Sequence, residues 1–270
     1  MTQLIVVVVI FAFFFGKALR SISRQKRILK TQLEAYRRGD YRGQMKAVEG
    51  YRRKGPELAH YFFYRGSALA QLGQFDEAED ALRRSLAIKT DPRLTSICRS
   101  ELGSLFLEAG KWDQAQECFR QSIAETPDRS SPHRGIAELF LRRGMRPGDA
   151  LTEAQTALAL DRPQASSKGE LAKLNYNTNL AESLALVAWA VAANEGAEAQ
   201  VDKLVNEAVA VCDPNTKPVL AEVHYFSAMA WTALAKPAEA AVHFRQAADL
   251  DPEGTYGRLA VSTGVPTGTP

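Results

Sequence analysis

The chain has 270 residues, 46% of them hydrophobic and 24% charged, a composition typical of one or two globular domains. Its three cysteines, Cys98, Cys118 and Cys212, stand far apart without a CxxC pair, which argues against a zinc site or a disulfide framework and predicts buried, reduced thiols. The net charge of +3 conceals a basic segment, because residues 17–54 contain thirteen Lys/Arg and three Asp/Glu.

The N-terminal segment Thr2–Gly16, "TQLIVVVVIFAFFFG", is uncharged and almost wholly apolar. As a helix it spans roughly 22 Å, and extension through Leu19 brings it near 27 Å, against a bilayer core of about 30 Å. Basic residues follow the apolar run and none precede it. We therefore predict an uncleaved transmembrane anchor over residues 1–19, with the N-terminus outside and the remaining chain cytoplasmic. A cleaved signal peptide and a buried strand are the alternatives.

Residues 20–57 are predicted to form a basic juxtamembrane helix followed by a divergent first repeat. Lysine and arginine close to a membrane gain about 1 kcal/mol each from anionic lipid head groups. The basic run lacks interleaved aromatic residues, so nucleic-acid binding is not expected. The residues predicted to contact the membrane surface are Lys17, Arg20, Arg24, Lys26 and Arg27.

One sequence pattern recurs along the rest of the chain. It reads "QLGQFDEAEDALRRSLAIKTDP" at 71–92, "AGKWDQAQECFRQSIAETP" at 109–127 and "AKPAEAAVHFRQAADLDP" at 235–252. Each unit predicts two helices, with a small residue where they cross and a break between them. The predicted crossing residues are Gly66, Gly103, Ala137 and Ala228, and the predicted breaks are Gly73, Gly110, Gly144, Gly196 and Lys236-Pro237. The second helices are aligned on Ala78, Ala115, Ala150, Val201 and Ala240.

This pattern resembles the tetratricopeptide repeat (TPR) family, most closely in "RGSALAQLGQFDEAEDALRRSL" at 65–86 and "ELGSLFLEAGKWDQAQECFRQSIAETP" at 101–127. The resemblance implies an all-α solenoid of antiparallel helix pairs in a right-handed superhelix. We assign about five repeats to residues 58–254, an insertion to 162–181, and a capping segment with a disordered tail to 255–270. The capping box "SKGE" predicts either one long helix from about Ser167 to Asn194 or two helices broken near "NYNTN".

In the TPR family the first helices of the repeats line a concave groove that binds a partner polypeptide. The resemblance implies that this groove collects a mixture of aromatic, hydroxyl and charged side chains from several repeats. The residues at the corresponding positions are Phe63, Ser67, Gln71, Ser100, Ser104, Leu107, Arg134, Glu138, Arg142, Tyr225 and Met229.

Catalytic motifs are missing from the sequence. The four histidines show no HExxH or HxH pattern and are assigned to different repeats, and neither a phosphate-binding glycine loop nor a GxSxG elbow is present. We therefore expect no enzyme activity, metal or cofactor. The sequence predicts a membrane-anchored scaffold for protein–protein interaction. The alternatives are an exported, periplasmic TPR assembly factor with a cleaved signal peptide and a non-catalytic subunit of an enzyme complex.

Overall fold

The computed structural model describes residues 30–49, 56–88, 91–162 and 170–263, and all regular elements in these ranges are α-helices. They form an all-α helical solenoid, as the sequence predicts. The helices are α1 (residues 30–37), α2 (Tyr41–Glu49), α3 (Pro56–Gln71), α4 (Phe75–Ala87), α5 (Pro92–Glu108), α6 (Trp112–Glu125), α7 (Ser131–Arg142), α8 (Pro147–Asp161), α9 (Glu170–Ala193), α10 (Glu198–Val211), α11 (Lys217–Ala233), α12 (Pro237–Leu250) and α13 (Thr255–Thr263).

The predicted anchor over residues 1–19 lies outside the described ranges. The five predicted membrane-surface residues, Lys17, Arg20, Arg24, Lys26 and Arg27, and the predicted tail after residue 263 lie outside them as well. Within the part of the chain that the structure describes, no helix is both long enough and apolar enough to cross a membrane.

The first helix of every described pair ends in the same backbone turn. The second residue after the helix has a left-handed φ between 56° and 73°. The next amide then donates a hydrogen bond to the carbonyl five residues earlier, which is the Schellman arrangement. Glycine occupies four of these six left-handed positions because it has no Cβ to clash. The left-handed residues are Gly39, Gly73, Gly110, Gly144, Glu195 and Ala235, so the last two predicted breaks lie one residue too late.

Small residues allow the two helices of a repeat to cross closely. A Cβ added at Gly66 would lie 2.7 Å from Cγ of Leu82, and one at Gly103 would lie 2.6 Å from Cε1 of Phe119. These separations are too short for any side chain, which explains why glycine stands at both positions. Ala137 and Ala228 occupy the equivalent places in later repeats and are fully buried. All four predicted crossing residues therefore lie in tight contacts.

The second helices bury one face, as their four- and three-residue spacing predicts. This face joins a core that runs from α3 to α13. The residues used to align the repeats are at most 4% exposed: Ala78, Ala115, Ala150, Val201 and Ala240.

Helix α9 is a single helix of 24 residues, in agreement with the first of the two alternatives. It packs against α7, α8, α10 and α11 and so forms part of the array, while the predicted bounds of the insertion, 162–181, stay a prediction. Its Trp189 is 3% exposed, and the ring centroid lies 5.9 Å from that of Phe226 on α11. The left-handed Glu195 lies seven residues after Ala188, the same spacing as from Gly103 to Gly110, so the small crossing residue of this repeat is the fully buried Ala188.

The first and last described repeats touch each other. The Tyr41 hydroxyl lies 2.5 Å from Oδ2 of the buried Asp251 and donates to it. Nη2 of Arg37 lies 2.6 Å from Oδ2 of Asp213. We call these two bonds the closure contacts. They bring helices that begin and end the described chain to the same side of the solenoid.

Candidate functional site: the concave cavity

A cavity of about 310 Å³ lies on the concave side of the solenoid. The first helix of each of the six pairs contributes to its lining, and so does α13. Seven of the eleven predicted groove residues line it. They are Ser67, Gln71, Ser100, Ser104, Leu107, Arg134 and Glu138.

The other four predicted groove residues lie outside this lining. Phe63 and Met229 are partly buried against the core, and Tyr225 is only 3% exposed. Arg142 lies behind the lining residue Glu138 and pairs with it. That these eleven residues contact a partner stays a prediction. A groove residue that is already bonded within its own chain is not free to bind a partner.

Arg134 is the centre of a buried ionic network, and its side chain is 11% exposed. Its Nη2 lies 2.6 Å from Oε2 of Glu182, and its Nη1 lies 3.2 Å from Oδ2 of Asp161. Burial alone would lower the pKa of Arg134, but these two carboxylates outweigh burial and raise it. Arg134 therefore joins α7 to α8 and α9, and its charge is already neutralised within the chain.

Arg142 makes a second buried network, about two turns further along α7. Its Nη2 lies 2.6 Å from Oε1 of Glu138, and its Nη1 lies 2.8 Å from Oε1 of Glu108 on α5. The guanidinium also lies 5.9 Å from the ring centroid of Tyr225. Burial opposes the charge of Arg142, yet the two carboxylates raise its pKa. Like Arg134, Arg142 is held by its own chain.

Two cavity carboxyls have no basic partner. Among the described residues, no lysine or arginine lies within ion-pair distance of Glu101 or Glu222, although both line the cavity. Burial raises the pKa of Glu101, and a hydrogen bond from Ser67 opposes this shift. Burial also raises the pKa of Glu222 well above its usual value, and the neighbouring carboxylates of Glu182 and Glu138 add to the effect, whereas Arg134 and a hydrogen bond from Tyr256 oppose it. Carboxyl groups outnumber basic groups in the lining, which contains five glutamates and two arginines: Glu101, Glu108, Glu138, Glu182 and Glu222, and Arg129 and Arg134.

Sequence reasoning missed several cavity residues. Glu101 follows a predicted groove position directly, so the family pattern alone did not select it. Glu182 lies just after the insertion, where the repeat register was not assigned. Tyr36 comes from the divergent first repeat, and Tyr256 comes from the capping helix α13. A helical wheel of each first helix would have found Glu101, but the contribution of the two terminal helices required the tertiary structure.

Metal ligation has no support among the residues that the structure describes, because none of their His, Cys, Asp and Glu side chains form a group of three that could hold an ion. Two histidines assigned to different repeats are nevertheless neighbours. Nδ1 of His224 lies 2.9 Å from Nδ1 of His243, which joins α11 to α12 within one repeat. Burial and then His243 lower the pKa of His224 to about 4, so both rings are neutral at pH 7.

The three cysteines are free thiols; Cys98 and Cys212 are buried, as predicted, whereas Cys118 is only partly buried. Burial raises the pKa of Cys98 to about 11 and that of Cys212 to about 12. Both therefore remain protonated at neutral pH, which makes them poor nucleophiles.

Comparison with known proteins supports the repeat assignment. Residues 59–124 and 100–165 each match a model of the tetratricopeptide repeat. No curated protein sequence matches the chain. Among solved structures, a chain of the APC/C hetero-tetramer Cut9–Hcn1 is similar with a TM-score of 0.57 and 14% identity over 83% of this chain. The match covers 39% of that longer chain.

Two further solved structures are similar at lower TM-scores. BtubC (BKLC) from P. vanneervenii gives a TM-score of 0.48 and 15% identity, over 92% of this chain and 93% of its own. YrrB, a TPR protein with an unusual peptide-binding site, gives a TM-score of 0.40 and 15% identity, over 80% of this chain and 96% of its own. Residues 59–165 thus match models of the tetratricopeptide repeat, and the described residues share an all-α solenoid fold with the Cut9–Hcn1 chain.

Proposed function

We propose that this protein is a membrane-anchored scaffold that binds a partner polypeptide on the concave side of its repeats. The observation that carries the proposal is the cavity of about 310 Å³, to which the first helices of all six pairs contribute. Tetratricopeptide repeats bind protein partners in general, and a concave surface built from several repeats is the surface that solenoids use. A serine-rich and acidic lining offers hydrogen bonds to an extended or helical segment.

Within this lining, Ser104 is the residue best placed to meet a partner. It is exposed, whereas Glu138 and Leu107 are buried and the Arg134 side chain is 11% exposed. A partner that enters the cavity therefore meets the Ser104 hydroxyl and the half-buried carboxyl of Glu101, whereas Arg134 is held by carboxylates of its own chain.

The anchoring part of the proposal rests on the sequence of residues 1–19 and on the basic residues that follow it. An apolar run with basic residues only on its C-terminal side favours a retained anchor with the repeats on the cytoplasmic side. On this basis the intact protein should sediment with membranes and resist carbonate extraction. A variant without residues 1–19 should appear in the soluble fraction. A mature N-terminus beyond Gly16 would instead indicate a cleaved signal peptide and an exported protein.

The scaffold part is tested by crosslinked pull-down from membranes with two matched variants. Ser104→Arg places a bulky cation in the cavity, and Gln114→Arg places the same side chain on the exposed part of α6. We expect Ser104→Arg to lose a partner that the wild type and Gln114→Arg both retain. Loss with Gln114→Arg alone would move recognition to the outer side and contradict the proposal.

A further inference from the structure

Helix α13 lies directly on the concave wall. The hydroxyl of Tyr256 donates to Oε2 of Glu138 at 3.2 Å. The ring of Tyr256 packs against two aromatic residues of α11, with centroid separations of 5.5 Å to Tyr225 and 5.3 Å to Phe226. One tyrosine of α13 thus contacts both α7 and α11.

The same helix reaches across to an early repeat. Nη1 of Arg258 donates to the backbone carbonyl of Gln71 at 2.6 Å. The amide of Thr255 donates to Oε1 of Gln71 at 3.3 Å. Helix α13 therefore contacts α3 as well as the last repeat. Three predicted groove residues, Gln71, Glu138 and Tyr225, therefore already contact a segment of their own chain.

The charges of α13 and of the wall are complementary. Arg258 is the only charged residue of α13, and it is a cation. Glu101 and Glu222 line the cavity beside Tyr256 without an ion-pair partner in the described part of the chain. A wall that is rich in carboxyl groups, contacts the Tyr256 ring and accepts a hydrogen bond from Arg258 at the backbone carbonyl of Gln71 favours a basic, aromatic segment.

Helix α13 is held by tertiary contacts, among them the fully buried Ala260, rather than by its own helix propensity. It has nine residues and contains glycine, threonine, valine and serine, all weak helix formers. A helix this short is marginal in water without tertiary contacts. Its Val261 is 53% exposed, so part of the helix points to solvent. Because α13 is tethered to the wall by its own chain, its effective concentration at the wall is on the order of millimolar, as for a segment on a short flexible linker.

We propose that α13 is an intramolecular ligand of the concave wall. A partner polypeptide that presents a tyrosine and an arginine two residues apart competes with α13 for this place. The inference rests on the proposed function and adds the chemistry of the partner. Binding then requires that the partner outcompete the tethered helix, which lowers the apparent affinity of the intact chain.

The test uses the full chain in detergent micelles and a fluorescent peptide with the sequence of residues 255–263. Tyr256→Ala combined with Arg258→Ala removes the contacts that hold α13. Gly257→Ala expels α13 by another route, because its new Cβ would lie too close to the carbonyl oxygen of Asp251. We expect both variants to bind the peptide at least ten times more tightly than the wild type does. Val261→Ala, on the exposed side of α13, is the matched control and should bind like the wild type.

A peptide in which the tyrosine is replaced by alanine should not bind any of these proteins. In the wild type, an excess of the original peptide should accelerate hydrogen exchange of residues 255–263, because free peptide displaces α13. This second measurement needs no substitution and so remains decisive if a variant fails to fold. Unchanged exchange, or binding equal to the wild type in a folded variant, overturns the inference.

These outcomes are separable from failure of the proposed function. If the peptide does not bind but Ser104→Arg still abolishes capture of the partner, the concave side is a binding surface and α13 is not its ligand. If neither peptide nor partner depends on the concave side, both proposals are wrong.

Discussion

The contacts inside each repeat and the contacts across the concave cavity stabilise this protein in different ways. Inside a repeat, small and apolar residues form most of the close packing between the two helices, as at Gly103 against Phe119. Across the cavity, buried arginines and carboxylates link helices that lie far apart in sequence, as at Arg134 and Glu182. The first kind of contact depends on shape and the second on charge balance, so the two respond to different substitutions.

The comparison also explains why a groove residue is not automatically a binding residue. Arg134 and Arg142 line or support the cavity, yet both are neutralised by carboxylates of their own chain. A buried ion pair that loses one partner leaves the other charge uncompensated. These arginines therefore hold the wall together, whereas the exposed Ser104 and the half-buried Glu101 remain available.

The largest expected effect comes from breaking the ionic network. Arg134→Ala should lower the free energy of unfolding by about 3–5 kcal/mol, because Glu182 and Asp161 would remain buried without their cation. Chemical denaturation measures the change. Arg83→Ala, which removes an arginine that is 59% exposed, should change stability by no more than about 0.5 kcal/mol. Equal losses of stability in the two variants would show that the ionic network of Arg134 stabilises the fold no more than an exposed arginine does.

The next effect tests packing inside a repeat. Gly103→Leu should lower the free energy of unfolding by about 3 kcal/mol, because even a Cβ at this position would overlap the Phe119 ring. Thermal melting followed by circular dichroism reports the loss. Gly148→Ala, in a helix position with nothing within 4 Å of the added Cβ, is the control and should be neutral. An unaltered midpoint for Gly103→Leu would contradict the assigned crossing.

A smaller effect is expected at the closure contacts. Tyr41→Phe removes the hydroxyl that donates to Asp251 and should cost about 1–2 kcal/mol, since the carboxyl is buried. Hydrogen exchange should then increase both in α2 and in the segment after α12. Tyr61→Phe, a partly buried tyrosine on α3 away from these contacts, is the control. A change confined to α2 would mean that the two ends are not coupled.

The smallest expected effect is an increase in stability. Glu101→Gln combined with Glu222→Gln should raise the free energy of unfolding at pH 7 by about 1 kcal/mol, because buried carboxylates without cations are unfavourable. The pKa of each carboxyl is raised in the folded protein above the usual 4.5. Their contribution to stability is therefore fully present below pH 4.5 and is lost as the pH rises through the raised values.

The free energy of unfolding is measured over a pH series for both the double variant and the wild type. The difference between the two proteins removes the contributions of other titrating groups. The variant should lose less stability than the wild type between acidic and neutral pH. Glu117→Gln, on the exposed side of α6, is the control and should leave the profile unchanged. Parallel profiles for wild type and double variant would show that the two carboxyls do not destabilise the cavity.

The amino-acid sequence by itself determined the repeats. The spacing of Ala78, Leu82 and Ser85 places them on one helix face, and glycines at 73 and 110 mark the turns, because helix periodicity and left-handed caps are local properties. Seven of the eleven residues that the family pattern selected reach the cavity for the same reason.

Only the tertiary structure decided how the cavity is filled. The bonds of Arg134 to Glu182, of Tyr41 to Asp251 and of Arg258 to Gln71 join residues separated by 48, 210 and 187 positions. No local pattern specifies such pairs, because they depend on the summed rotation of all intervening repeats. The register of each helix pair follows from neighbouring side chains, whereas the meeting of the first and last helices follows from the curvature of the whole array.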